Sequence, residues 1–341
     1  MCALYAATGG LGGGVFTPSA IASESSLSGY ESALSAFENG DYGTALLHAK
    51  MAGLGGHAES QVMVGHILAK GLSGPVDESG AVSWYLRAAR SNNTDAMVAL
   101  GELAIGAHGG LSASDSVRWL KQASDLGRTD AMRALAEIYI KGRGTAPDPV
   151  RGRNWLVKAA NYGDALAMRK LGDIYFEKKP TEALTWYEKA AQNGDVESAY
   201  FAAIMYAENY DIRPDAAKAA KLLEQAAMAG HPAAQADYGL VVYQGNGVAR
   251  DMNAAAKWFK KSAEAGDPEG QFLYAFTLAK GEGVAKSYEE AYYWLLRAEQ
   301  NKNSAKISEY DQTQVELRKK LEANVPPDVL SRARARVLAE K

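Results

Sequence analysis

Cysteine is nearly missing: Cys2 is the only one in 341 residues, so the chain can form no internal disulfide and no thiolate-rich zinc site. Charge of one sign is missing too. The 37 lysines and arginines nearly balance the 40 aspartates and glutamates, and a net −3 leaves no basic field to hold nucleic acid or an acidic membrane. Nothing after the opening residues is apolar for long enough to span a bilayer. The five histidines (48, 57, 66, 108 and 231) show no His-x-x-x-His spacing. The early GGLGGG has neither a following Lys-Ser/Thr nor a preceding strand, as a phosphate loop requires. Ser-x-x-Lys and Gly-x-Ser-x-Gly nucleophile motifs do not occur. No catalytic residue, metal or cofactor is therefore expected. The 47% apolar and 23% charged make-up is that of a globular protein with a substantial core.

The first 23 residues, MCALYAATGGLGGGVFTPSAIAS, carry no charge, and Ala20-Ile21-Ala22 has the small-x-small form that signal peptidase reads. This predicts export, with residues 1–22 lost as a signal peptide and the mature chain in the periplasm or secreted. A cytoplasmic location is the alternative.

What the sequence has in abundance is repetition. All six tryptophans, at 84, 119, 155, 186, 258 and 294, fall at intervals of 31 to 36 residues, with one double interval filled by Leu222. A column of small residues runs in step: Gly65, Gly101, Ala136, Gly172, Ala203, Gly239 and Ala275. A period in the 30s marks a stacked array. Each unit reads as two helices, because apolar and small residues recur at three- and four-residue spacing. Seven residues before the tryptophan column stand Asp77, Ser112, Asp148, Asp215, Asp251 and Ser287, acceptors for orphaned helix amides; only Lys179 breaks the series. His57 and His231 occupy the inter-unit turn where others have Asp, and a capping role is expected for both. The tryptophans are expected to fill the space between helices, where truncating a fully buried one costs about 3–5 kcal/mol. A cryptic helix pair, with Asp41 as cap, is expected at 27–56. At the far end, a polar helix over 304–322 is expected to cover the stack, followed by a last helix capped by Asp328. Arg332, Arg334 and Arg336 read as a solvated face.

The stretch AQADYGLVVYQGNGVARDMNAAAKWFKKSAEAGD (234–267) closely resembles one unit of the Sel-one-like repeat family, a relative of the tetratricopeptide repeats. The resemblance covers seven units over 58–300, with 23–57 as an N-terminal linker and capping pair and 301–341 as C-terminal capping helices. Units three, six and seven carry Gly142-x-Gly144, Gly245-x-Gly247 and Gly281-x-Gly283, while units two, four and five lack that glycine loop. The resemblance implies an all-α, right-handed superhelical solenoid of antiparallel helix pairs. It also implies a non-enzymatic scaffold or adaptor in signalling, envelope polymer secretion or protein-quality complexes. A family branch with a disulfide in each repeat, to which β-lactam binding has been attributed, does not fit a chain with no cysteine in any repeat.

By analogy with tetratricopeptide arrays, the first helix of each unit lines a concave groove. Residues one position after the small column, and those four before them, are expected to point into it. Arg133, Glu137, Arg169 and Asp173 form a polar half, and Tyr200, Ile204, Leu240, Tyr243, Phe272 and Phe276 an apolar half. The expected partner is a protein or peptide, with no nucleic acid. Arg133 with Glu137 and Arg169 with Asp173 also read as i,i+4 ion pairs, and Phe272 and Phe276 as packing under the C-terminal cap. The alternative from another class is an envelope hydrolase or carbohydrate-processing factor using the groove carboxylates.

Overall fold

Helix starts fall where the sequence places hydrogen-bond acceptors. In the computed structural model, which describes residues 18–208, 210, 212–301 and 311–339, Asp41, Asp77, Asp148, Asp215 and Asp251 each accept from a backbone N–H two or three residues on, at 2.8 to 3.1 Å. Ser112 forms a capping box with Asp115, and Ser287 Oγ accepts from Glu290 N–H at 3.3 Å. Lys179 supplies no side-chain cap, and its helix begins on Pro180, whose fixed φ suits a first turn. His57 and His231 do cap: Nδ1 of each accepts from Ser60 and Ala234 N–H at 3.2 and 3.1 Å.

All regular structure among the described residues is helical, and the chain divides into two units, 1–162 and 163–341. The first holds α1 (Pro18–Glu38), α2 (Tyr42–Leu54), α3 (Ala58–Lys70), α4 (Glu78–Arg90), α5 (Thr94–Ile105), α6 (Ala113–Asp125), α7 (Thr129–Lys141) and α8 (Pro149–Asn161). The second holds α9 (Ala165–Tyr175), α10 (Pro180–Gln192), α11 (Val196–Ala207), α12 (Ala216–Met228), α13 (Pro232–Gln244), α14 (Met252–Glu264), α15 (Pro268–Lys280), α16 (Tyr288–Asn301), α17 (Asp311–Asn324) and α18 (Pro327–Ala339). Within each unit, the two helices of a pair close on one another and the second packs on the first helix of the next pair. Short connections between packed neighbours are those of helix hairpins. The expected leader lies mostly outside the described residues, and α1 runs through its expected end after Ala22.

The core corrects one expectation. The residue after each tryptophan-column position, namely Tyr85, Leu120, Leu156, Tyr187, Leu223, Phe259 and Leu295, is buried, at 0 to 4% exposure. The small column exists to receive these side chains. A Cβ built on Gly65, Gly101, Gly172 or Gly239 would lie 2.5 to 2.7 Å from Tyr85, Leu120, Tyr187 or Phe259 respectively. The six tryptophans are only half-buried. Five carry a cation over the ring at 4.1 to 4.8 Å: Arg87 on Trp84, Arg118 on Trp119, Lys158 on Trp155, Lys189 on Trp186 and Lys261 on Trp258. The ring makes a ledge at the margin of the core, and its neighbour in sequence fills the interior.

Glutamines staple successive pairs. Gln61, Gln235 and Gln271 are buried, and Nε2 of each donates to the carbonyl of Gly53, Ala227 or Ala263 at 2.8 to 3.2 Å, near the end of the preceding helix. Each of these carbonyls also accepts from the N–H of the glycine just past its helix, Gly56, Gly230 or Gly266, so the amide takes a second lone pair and ties the next repeat to the helix end.

In the Gly-x-Gly loops the first glycine is the left-handed stop of α7, α13 or α15. The second, at φ +70° to +77°, lies so close to the first turn of the preceding second helix that a Cβ would meet the carbonyl oxygen of Ala113, Ala216 or Met252 at 1.9 to 2.3 Å. Unit two, expected to lack this loop, makes the same approach. Ala107 stands at φ +56°, and Gly109, at φ +60°, would place a Cβ 2.8 Å from the Glu78 oxygen. Unit four shortens the connection and starts α10 on proline instead.

At the C-terminus, Arg332, Arg334 and Arg336 are exposed, as a solvated face requires, but each is also paired with α16. Arg332 donates to Glu289 at 3.1 Å, Arg334 to the Tyr292 hydroxyl at 2.8 Å and Arg336 to Glu290, which fixes α18 on α16 over buried Leu330, Ala333 and Val337. Asp328 is inside the first turn and accepts from Arg332 at 2.8 Å; α18 starts on Pro327. The polar helix before it spans 311–324, and the earlier part of its expected range, 304–310, lies outside the described residues.

Candidate functional site

Most first helices turn two positions per repeat away from the core, because residues four apart share a helical stripe; on α13 and α15 the first of the two, Ala236 and Phe272, is buried. In unit 1 these are Val62 and His66 on α3, Val98 and Glu102 on α5, and Arg133 and Glu137 on α7. Val62 and His66 line a recess of about 460 Å³ with Tyr30, Leu34 and Phe37 of α1. The His66 pKa is lowered by partial burial and by Lys70. Glu137 Oε1 accepts from Lys141 Nζ at 2.5 Å, with Arg143 at 4.0 Å. The polar positions of α7 thus form a mixed-sign surface; the Asp130 pKa is lowered first by its bond from Arg128, against the opposing effect of burial, then by the Ala131 N–H and the Arg128 and Arg133 charges.

In unit 2, Arg169 and Asp173 stand on α9. Their expected mutual ion pair is replaced by others: Arg169 Nε lies 3.8 Å from Asp195, and Asp173 accepts from the Tyr187 hydroxyl at 2.8 Å. Tyr187, one of the core residues over the small column, reaches out to that carboxylate, and burial followed by this bond raises its pKa.

Tyr200 on α11 stacks on His231 at 4.6 Å, and its hydroxyl is bonded to Asp237. Burial first, then the Asp237 charge, pushes the phenol pKa far up, so Tyr200 is a neutral donor held rigid by its own chain. Ile204 lies one turn on, half-buried. Leu240, Tyr243, Phe272 and Phe276, from α13 and α15, come together around an apolar recess of about 220 Å³, floored by Phe259 and bordered by Thr313 of α17. Phe272 is 1% exposed and acts as the back wall; Leu240, Tyr243 and Phe276 are half-buried and form the rim. The Tyr243 hydroxyl donates to Glu282, and the Tyr243 carbonyl accepts from Arg250 at 2.9 Å. Lys280 sits over the Phe276 ring at 4.1 Å.

Asp237, Glu282 and Thr313 were not among the residues singled out from sequence. Glu282 is the middle residue of a Gly-x-Gly loop, 39 residues beyond its partner, and only stacking of two repeats brings it to Tyr243. Asp237 precedes Tyr238 on α13 and carries no signal of its own.

Among the described residues no group of three or more His, Cys, Asp or Glu side chains converges as metal ligands would, and no helix is long and apolar enough to cross a membrane. The face is an apolar, aromatic surface whose polar rim is held by hydrogen bonds within the chain.

Helix hairpins in register, small residues under buried aromatics and a recessed first-helix face define an all-α helical-repeat protein. The Sel1 repeat matches seven segments, 58–93, 94–127, 129–164, 165–195, 196–231, 232–267 and 268–303, and the chain belongs to the Sel1 repeat family. In structure it is similar to a Sel1 repeat protein from Oxalobacter formigenes, 24% identical, with 87% of each chain covered and a TM-score of 0.63. A protective antigen of uropathogenic Escherichia coli displaying an SLR fold is 22% identical over 91% of this chain and 86% of its own, with a TM-score of 0.33. An immunity protein from Pseudomonas aeruginosa is 16% identical over 68% and 83%, also with a TM-score of 0.33. The likeness in fold rests on the first of these. No curated protein sequence matches the chain.

Proposed function

We propose that the chain is a non-enzymatic scaffold whose first-helix face in unit 2 captures a protein or peptide partner. The observation that supports this reading is the open apolar recess between Leu240, Tyr243 and Phe276. An apolar rim open to solvent costs free energy unless a partner covers it, and aromatic anchors in recessed pockets supply most of the affinity in protein contacts. The polar neighbours are already committed: Asp173 to Tyr187, Tyr200 to Asp237 and Tyr243 to Glu282. Such commitments orient side chains for binding.

The test replaces Leu240 and Phe276 by serine and compares crosslinked partner recovered with that of the wild type. Phe272 is left alone because its burial makes it a folding residue. Recovery is expected to fall more than about tenfold, the loss of a binding hot spot, while circular dichroism shows the repeats still folded at the assay temperature. Undiminished recovery, together with a turnover abolished by Glu137→Gln or Asp173→Asn, removes the reading in favour of an enzyme.

We further propose that the protein works in the bacterial periplasm, supported by the uncharged opening and by Ala20-Ile21-Ala22. Mass spectrometry of the protein isolated from its own cells is expected to find Ser23 as the first residue; an intact Met1 would place the scaffold in the cytoplasm.

A further inference from the structure

The two helices after the last repeat are built differently. α18 buries Leu330, Ala333 and Val337 and is fixed by three arginines, as a permanent cap would be. α17 has three acidic and three basic residues on a short, mostly exposed helix, and buries only Gln314 and Leu321. Thr313, Leu317 and Leu321, at i, i+4 and i+8, form one stripe. That stripe faces Phe276, Ala279 and Tyr288 across a recess of about 410 Å³. Thr313 also borders the smaller recess at Leu240 and Tyr243. Three polar fastenings, all made by Arg318 and Glu322, hold α17 there: Tyr292 of α16 donates to Glu322 at 2.7 Å, Arg334 of α18 donates to Glu322 at 3.3 Å, and Arg318 donates to Glu299 of α16 at 2.7 Å.

We propose that α17 is an intramolecular stand-in for the partner, seated at the C-terminal end of the first-helix face. The true occupant is then an amphipathic helix with small or aliphatic side chains at i, i+4 and i+8, which displaces α17 and extends along Phe276 to Leu240 and Tyr243. The inference rests on the docking role proposed for this face. It draws on two features: the recess is continuous with the seat of α17, and α17 itself shows the stripe that the seat accepts. Space left between α17 and Phe276 means that a helix with larger apolar residues fills the seat better than the resident one.

The probe is an acetylated, amidated, fluorescent peptide of residues 311–324, added to the full chain and followed by anisotropy to about 1 mM, the scale of the effective concentration of a tethered segment. Two full-chain variants release α17 in different ways: Leu317→Asp spoils its stripe, while Arg318→Ala with Glu322→Ala removes its polar fastenings from the α17 side and leaves both the Arg334–Tyr292 bond of α18 and the apolar seat intact. Both variants are expected to bind the peptide at least about tenfold more tightly than the wild type, in which the resident helix competes. A peptide carrying Leu317→Asp is expected not to bind. Equal binding to wild type and variants, or binding to none of them while circular dichroism shows the repeats folded, overturns the proposal. In the second case an undiminished capture of partner at Leu240 and Phe276 leaves the docking role standing without it.

Discussion

Phe259→Ala is expected to lower stability by about 3–5 kcal/mol, while Trp258→Ala, one residue earlier, costs about 1–2 kcal/mol. Phe259 is 1% exposed and rests on Gly239, where no larger residue fits, so its removal leaves a cavity that the small column cannot close. Trp258 is half-buried, edge-on to Tyr238 at 5.5 Å and covered by Lys261 at 4.1 Å, and solvent takes up part of the space it leaves. Urea unfolding followed by circular dichroism checks the order of the two midpoints. Because a repeat array can unfold in stages, the comparison is made on the transition that contains the sixth repeat. A larger loss at Trp258 would contradict the assignment of core and ledge.

Gly283→Ala is expected to cost about 2–5 kcal/mol, and Gly281→Ala about 1–2 kcal/mol. Both glycines have positive φ, +70° and +76°, so both substitutions pay the left-handed penalty. They differ in what the new methyl meets. At Gly281 its nearest neighbour is the Lys286 Cβ at 3.1 Å, a tight contact that a shift of a few tenths of an ångström in the loop relieves. At Gly283 it is the backbone oxygen of Met252 at 1.9 Å, in the first turn of α14, which cannot move without displacing a helix of the previous repeat. Thermal unfolding of the two variants beside the wild type distinguishes the cases, and equal losses would mean that the loop does not lie against α14 as described.

The same contrast runs through the proposed docking face. Tyr200, Leu240 and Phe276 were legible from their column positions, since a fixed step from a small residue fixes the helical stripe. Their surroundings were not. Phe272 belongs to the same column as Tyr200, yet it lies buried behind the rim, as does Ala236 of that column on α13. Arg169 and Asp173 have ideal i,i+4 spacing, and still each finds its partner on another helix, because a tyrosine hydroxyl at 2.8 Å and an inter-repeat aspartate compete for a pair worth only a few tenths of a kcal/mol.

Composition, period and caps were thus settled by the chain alone: seven hairpins, their starting residues and the small column each one needs are local matters of helix geometry and orphaned amides. Only the tertiary structure decided that the tryptophans stand at the margin while their neighbours fill the core, that unit two rebuilds the glycine loop around Ala107 and Gly109, and that three arginines clamp the last helix. The reason is one of range. A helical repeat writes i to i+4 relations directly into its sequence, whereas the depth of a side chain and the partner of a charge depend on helices that pack some 30 to 40 residues away, where neither periodicity nor propensity specifies which of two adjacent residues turns inward.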